Sequence, residues 1–321
     1  MPVLPNIRLP FALPTWARGL LLVSLMLATT LAAEGCARAE DTQSSAGTNG
    51  CSGSEATVFV EYKIWAECLS LLVIGRSEEV HTAIIFVGGD VPADRQPPTP
   101  EMLHTFAERS GAISVSRDEH MPVIILGRPG LYGSTGNHQY RHRPMEYGLV
   151  ARAIELLVQR FELVRVALVG HSGGSSAIMG ALSLGAKEGD CVVVASGNYA
   201  IAYTTVRKYE NAAKPVSGEQ KQALQRHIFN HHTSLTGIIH SPRRIFLVGD
   251  ITDQFAPFLQ QVRYAESLET AGYPVRLIEA TAPNGDGHTF INMSLEAAAH
   301  CLKGEDDARI VRVFEGVLRI P

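Results

Sequence analysis

The chain has 321 residues, of which 45% are hydrophobic and 19% charged, with a formal net charge of −4. This is the composition of an ordinary folded protein of one large domain or two modest ones. It argues against a disordered acidic chain and against a nucleic-acid partner.

The first 39 residues stand apart. Arg8 and Arg18 precede an apolar run, GLLLVSLMLATTLAA at 19–33, and Ala37-Arg38-Ala39 offers small residues before Glu40. This is the pattern of a cleaved export signal over 1–39. The run is shorter than the roughly 20 residues a spanning helix needs. The expected product is secreted or periplasmic, with no stable membrane insertion. The alternatives are an uncleaved anchor and lipidation at Cys36, where Ala33-Glu34-Gly35 makes a poor lipidation motif. Residues 40–54 read as a polar linker, and 55–321 as the folded domain.

Export into an oxidising compartment leaves Cys51, Cys68, Cys191 and Cys301, enough for two disulfides in three connectivities. Cys51 and Cys68 flank one expected strand, which favours Cys51–Cys68 with Cys191–Cys301. Four buried thiols are the alternative. None has metal-ligand spacing, so no metal is expected.

From residue 56, strand-type and helix-type segments alternate. Segments 56–64 and 69–74 suit a hairpin at a sheet edge, and 82–87 (TAIIFV) suits a strand covered on both faces. A helix is expected at 101–110, a strand at 121–126, a helix at 144–161 and a strand at 164–169. A helix follows at 175–184, then strands at 191–195 and 244–248, a helix at 257–271 and a strand at 275–280. Helices near 291–302 and 308–318 complete the chain. The alternation predicts an α/β fold, a mostly parallel sheet with helices on both faces. The polar segment 197–244 breaks the rhythm and is expected to be a helical, cap-like insertion, because a structureless loop of that length is unusual.

Between the strand at 164–169 and the next helix lies Gly170-His171-Ser172-Gly173-Gly174, a G-x-S-x-G pattern. In this context Ser172 is a candidate nucleophile on a sharp turn that lifts its hydroxyl above the sheet. Gly170 and Gly174 leave room for that turn, and His171 is expected to shape the pocket floor. A serine hydroxyl needs a base. The chain order that accompanies such a turn is nucleophile, acid, histidine. That order selects His288, in TAPNGDGHTF after the last core strand. The acid candidates are Asp250 and Asp253, in IFLVGDITDQFAP, with Asp253 preferred because a loop position can reach across to His288. Asp286 reads as a loop cap, and His231 and His232 as solvent-facing. The oxyanion donors are expected from the Gly173 N–H and from Gly89 or Asp90, after TAIIFV. Arg128, with His138, Arg141, His142 and Arg143, makes a basic loop near the sheet's carboxyl edge. Arg128 is a candidate substrate contact, and a solvated charged loop is the bland alternative.

These residues together resemble the α/β-hydrolase superfamily over roughly 55–321. The intervals are similar to those of prolyl-oligopeptidase-like and dienelactone-hydrolase-like catalytic domains and of bacterial esterases. VGGD stands where HGG is common. The resemblance implies an exported serine hydrolase that cleaves a carboxylic ester or related acyl bond through Ser172, His288 and Asp253, with no cofactor. The alternatives are a serine peptidase on the same fold and a non-catalytic binding protein. The expected partner is a small-molecule ester or peptide.

Overall fold

The computed structural model describes residues 51, 56–75, 81–92, 95–201, 227–240 and 243–315. The expected signal segment 1–39, nearly all of the linker 40–54 and residues 202–226 of the expected insertion lie outside these.

Eight strands form one sheet. They are β1 (Thr57–Tyr62), β2 (Trp65–Ile74), β3 (Thr82–Val87), β4 (Val123–Leu126), β5 (Arg165–His171), β6 (Cys191–Ala195), β7 (Arg244–Gly249) and β8 (Val275–Glu279). Their spatial order is β1-β2-β4-β3-β5-β6-β7-β8. β1 and β2 make the expected antiparallel edge hairpin, and β2 also runs antiparallel to β4. Every other pairing is parallel, from β4 through β3 and β5 to β8.

The central strands are apolar at nearly every position because both faces are covered. Side chains alternate between two cores, as strand geometry requires. Ile85, Leu168, Val194 and Leu247 enter one core with helices α3 (Pro144–Arg160), α4 (Gly173–Ser183) and α5 (Phe258–Thr270). Phe86, Val169, Val193 and Phe246 enter the other with α1 (Met102–Arg109), α2 (Ala112–Glu119), α6 (Ile291–Leu302) and α7 (Asp307–Glu315). Pro144 opens α3, where its missing N–H costs nothing.

Two features depart from expectation. Helix α2 is not legible in 111–120, and Gly111 in the left-handed region (φ 77°) separates it from α1. Residues 227–240 of the expected cap belong partly to the core, since Phe229, His231 and Ile238 are buried. His231, expected to face solvent, is 0% exposed. It packs among Tyr147, Tyr199, Phe229 and Tyr264, with ring centroids 5.0–5.9 Å away. Half-buried His232 bonds the Ser267 hydroxyl at 3.0 Å.

Both favoured disulfides are present. Cys51–Cys68 ties the chain before β1 to β2, and Cys191–Cys301 ties the start of β6 to the end of α6.

Candidate functional site

Parallel strands deliver their following loops to one edge of a sheet, where ligands bind in such folds. Here that edge carries Gly88-Gly89-Asp90 after β3, Arg128 after β4, Ser172 after β5, Ser196 after β6, Asp250 and Asp253 after β7, and His288 beyond β8.

Ser172 lies between β5 and α4 with φ 55° and ψ −122°, a backbone conformation strained for a residue with a side chain. Its N–H donates to the Ala195 carbonyl at 2.9 Å. The turn closes tightly: a Cβ on Gly170 would fall 2.6 Å from Ser175 Cα, and one on Gly174 would strike the Val87 carbonyl. Neither position can take a larger residue without a shift of backbone.

Gly89 runs against this turn. A Cβ there would come 3.0 Å from the Ser172 Cβ and 3.3 Å from the His171 carbonyl. The backbone of the β3 loop therefore reaches the serine.

His288 Nδ1 lies 2.8 Å from Asp253 Oδ2, and the Asp253 side chain is 0% exposed. The other Asp253 oxygen accepts from the N–H groups of Phe255 and Ala256 at 2.8 and 2.9 Å. A carboxylate facing Nδ1 fixes the proton there and leaves Nε2 as the basic nitrogen of the neutral ring. Asp250 is occupied otherwise. Its Oδ1 accepts from the Thr252 N–H and hydroxyl, and its Oδ2 from the Ala282 N–H at 2.9 Å. Burial alone would raise its pKa, but the bonds from Ala282 and Thr252 bring it below the usual carboxylate range. Asp250 ties the β7 and β8 loops together. Asp286 caps its own turn, accepting from the N–H groups of His288 and Thr289.

The backbone of His288 is held from beneath. His171 Nε2 donates to its carbonyl at 3.1 Å, and so does the Ser196 hydroxyl at 2.6 Å. Burial, then the nearby His288, pushes His171 down to about 4, so the ring is neutral. Ser196 has no sequence signal; it acts from a left-handed position (φ 51°) at the end of β6.

The basic loop departs from both expectations. Arg128 is 1% exposed, so it offers no surface to a substrate. Its Nη1 lies 2.7 Å from Asp90 Oδ1, and its Nε donates to Glu146 at 2.8 Å. His142 Nε2 lies 2.7 Å from Asp90 Oδ2, with Arg141 at 3.5 Å. From His142 the chain of polar contacts continues to the Tyr147 hydroxyl and on to His231 Nε2. Burial would raise the Asp90 carboxyl, but His142 and Arg128 hold it well below its usual range. The charges of Arg128 and Arg141 are thus met internally by Asp90 and Glu146, while Arg143 lies over the Tyr140 ring. A Cβ on Gly173 would meet the Asp90 carboxylate and approach Arg128 Nη1 to 2.8 Å, so this ion pair backs the serine turn.

Among the described residues, no group of three or more side chains could hold a metal ion, and no helix is long and apolar enough to cross a membrane.

Neither a protein-family model nor a curated protein matches the chain. Solved structures do. The esterase Pf2001 of Pyrococcus furiosus is similar with a TM-score of 0.52 at 16% identity, over 84% of this chain and 94% of that one. Est1E of Butyrivibrio proteoclasticus, solved with ferulic acid bound, is similar with a TM-score of 0.52 at 12% identity, over 77% and 98%. The sheet order, the turn at Ser172 and these likenesses agree: the chain has the α/β-hydrolase fold.

Proposed function

We propose that the protein is a serine hydrolase of carboxylic esters, with Ser172 as nucleophile, His288 as base and Asp253 as the group that orients the imidazole. The observation that carries this reading is the 2.8 Å contact between His288 Nδ1 and the fully buried Asp253, at the sheet edge that also bears the strained Ser172 turn. The Ser172 oxygen bonds to the ester carbonyl carbon while its proton passes to His288 Nε2. The negative charge on the carbonyl oxygen is met by the Gly173 N–H and by the Gly89 or Asp90 N–H. The imidazolium returns the proton to the leaving oxygen as that C–O bond breaks. Water, deprotonated by the same imidazole, then releases the acid and regenerates the serine. No step needs a cofactor.

The two disulfides suit an oxidising compartment, which fits export.

The test is labelling of the folded protein by a fluorophosphonate probe, with hydrolysis of p-nitrophenyl esters beside aminoacyl-nitroanilides. Labelling lost in Ser172→Ala, with turnover of esters, is the expected result. Failure of the wild-type protein to label, beside a control hydrolase that does, ends the reading. Turnover of the anilides in preference to the esters makes the protein a peptidase.

A further inference from the structure

The same proton transfer that defines His288 also says where the two halves of a substrate lie. The imidazole must hand its proton to the leaving oxygen, so the group on that oxygen extends past the ring. The carbonyl oxygen points the other way, toward Gly173 and the Gly89 loop.

Two rings pack edge-on against His288, and they differ. His171, at 5.0 Å, is itself buried and bonded to the His288 carbonyl. Phe255, at 5.2 Å, is 74% exposed. Its backbone N–H is held by Asp253, the carboxylate that also holds His288. The backbone of Phe255 is therefore tied to the carboxylate that holds the base, while the residue itself is open to solvent. Ile251 (66% exposed) and Leu259 (58%) stand on the same segment, which carries three of the large apolar side chains that the described residues leave exposed. A large apolar ring left in water against the imidazole is a surface that an apolar group gains by covering.

Resting on the esterase reading above, we propose that Phe255, with Ile251 and Leu259, receives the leaving group, and that the preferred substrates are esters of apolar, uncharged alcohols. The aliphatic neighbours favour hydrocarbon over a cationic alcohol, which would need further aromatic faces.

Acetate esters of different alkanols test this, because all give the same acetyl-enzyme and kcat/KM reports the step in which the alcohol leaves. In the wild-type protein kcat/KM should rise about tenfold or more from ethyl to hexyl acetate, by the worth of buried methylenes. In Phe255→Ser the hexyl-to-ethyl ratio should fall toward one, and Phe255→Leu should keep most of it. The selectivity between ethyl butyrate and ethyl acetate, which varies the acyl half, should not move. A wild-type ratio near one, or a ratio that survives in Phe255→Ser, overturns the assignment while the hydrolase reading stands. Fluorophosphonate labelling separates the two: absence of label removes the hydrolase reading and this inference with it.

Discussion

The carboxylate of Asp90 and the guanidinium of Arg128 meet at 2.7 Å beside the Gly173 backbone, with Arg128 wholly enclosed. Asp90 follows Gly89 in the chain, so the ion pair fixes the loop that reaches the serine. Arg128→Met leaves Asp90 and Glu146 without their buried cation and should cost about 3–5 kcal/mol of stability by urea unfolding. Asp90→Asn should lower kcat by as much as about 100-fold, the scale of a 1 Å misplacement of a catalytic donor. Wild-type kcat in Asp90→Asn would remove the loop from the chemistry.

Asp250 and Asp253 differ in what their oxygens face. Asp253→Asn should lower kcat by about four orders of magnitude, because the amide no longer sets the imidazole tautomer. Asp250→Asn removes a tie between two loops and should lower the melting temperature with a much smaller loss of kcat. The reverse ranking in the two kcat values would exchange the roles.

The strain at Ser172 predicts a trade between stability and activity. Glycine adopts φ 55° freely and alanine does not. Ser172→Gly should therefore be more stable than Ser172→Ala by about 1 kcal/mol, with both inactive. Equal melting temperatures for the two variants would mean the turn carries no strain.

Acid should destabilise the fold well above the range where carboxylates titrate. Burial, first among the causes in each case, pushes His138 and His171 down to about 4 and His231 down to about 3. In the unfolded chain each returns to about 6.5. Between those values the unfolded state binds more protons, so stability is whole above about pH 6.5 and is lost as the pH falls. Each histidine steepens the fall by about 1.4 kcal/mol per pH unit in that window. Thermal melts from pH 7 to 4 should show it, and His231→Phe should flatten the curve. An unchanged slope in that variant would mean His231 is protonated in place.

The disulfide between Cys191 and Cys301 spans 110 residues and the one between Cys51 and Cys68 spans 17. On loop-closure grounds, removing the first should cost about 4–5 kcal/mol and the second about 3. Urea unfolding of the paired Cys→Ala variants checks the order.

Much of the sheet was legible because its strands are unbroken apolar runs. Thr82–Val87, Cys191–Ala195 and helix Ile291–Leu302 begin and end where hydrophobicity does. Helix α2 was hidden because only Ala112, Val115 and Ser116 of its eight residues are buried. The polar insertion around His231 predicts exposure; its burial comes from Tyr147, Tyr199 and Tyr264, each from a different segment. The basic loop misled for a related reason. Asp90 lies 38 residues before Arg128, and Glu146 sits in the helix that follows the loop; no sequence pattern pairs either with Arg128.

One carbonyl oxygen, that of His288, accepts from side chains at the ends of two adjacent strands, His171 of β5 and Ser196 just past β6. It is a gauge of how those strands are aligned. A slip of β6 along β5 by one residue would turn every β6 side chain to the opposite face, and would carry Ser196 away from that oxygen. The alignment of β5 with β6 and the position of the His288 backbone are thereby tied together, so a shift in one is felt in the other.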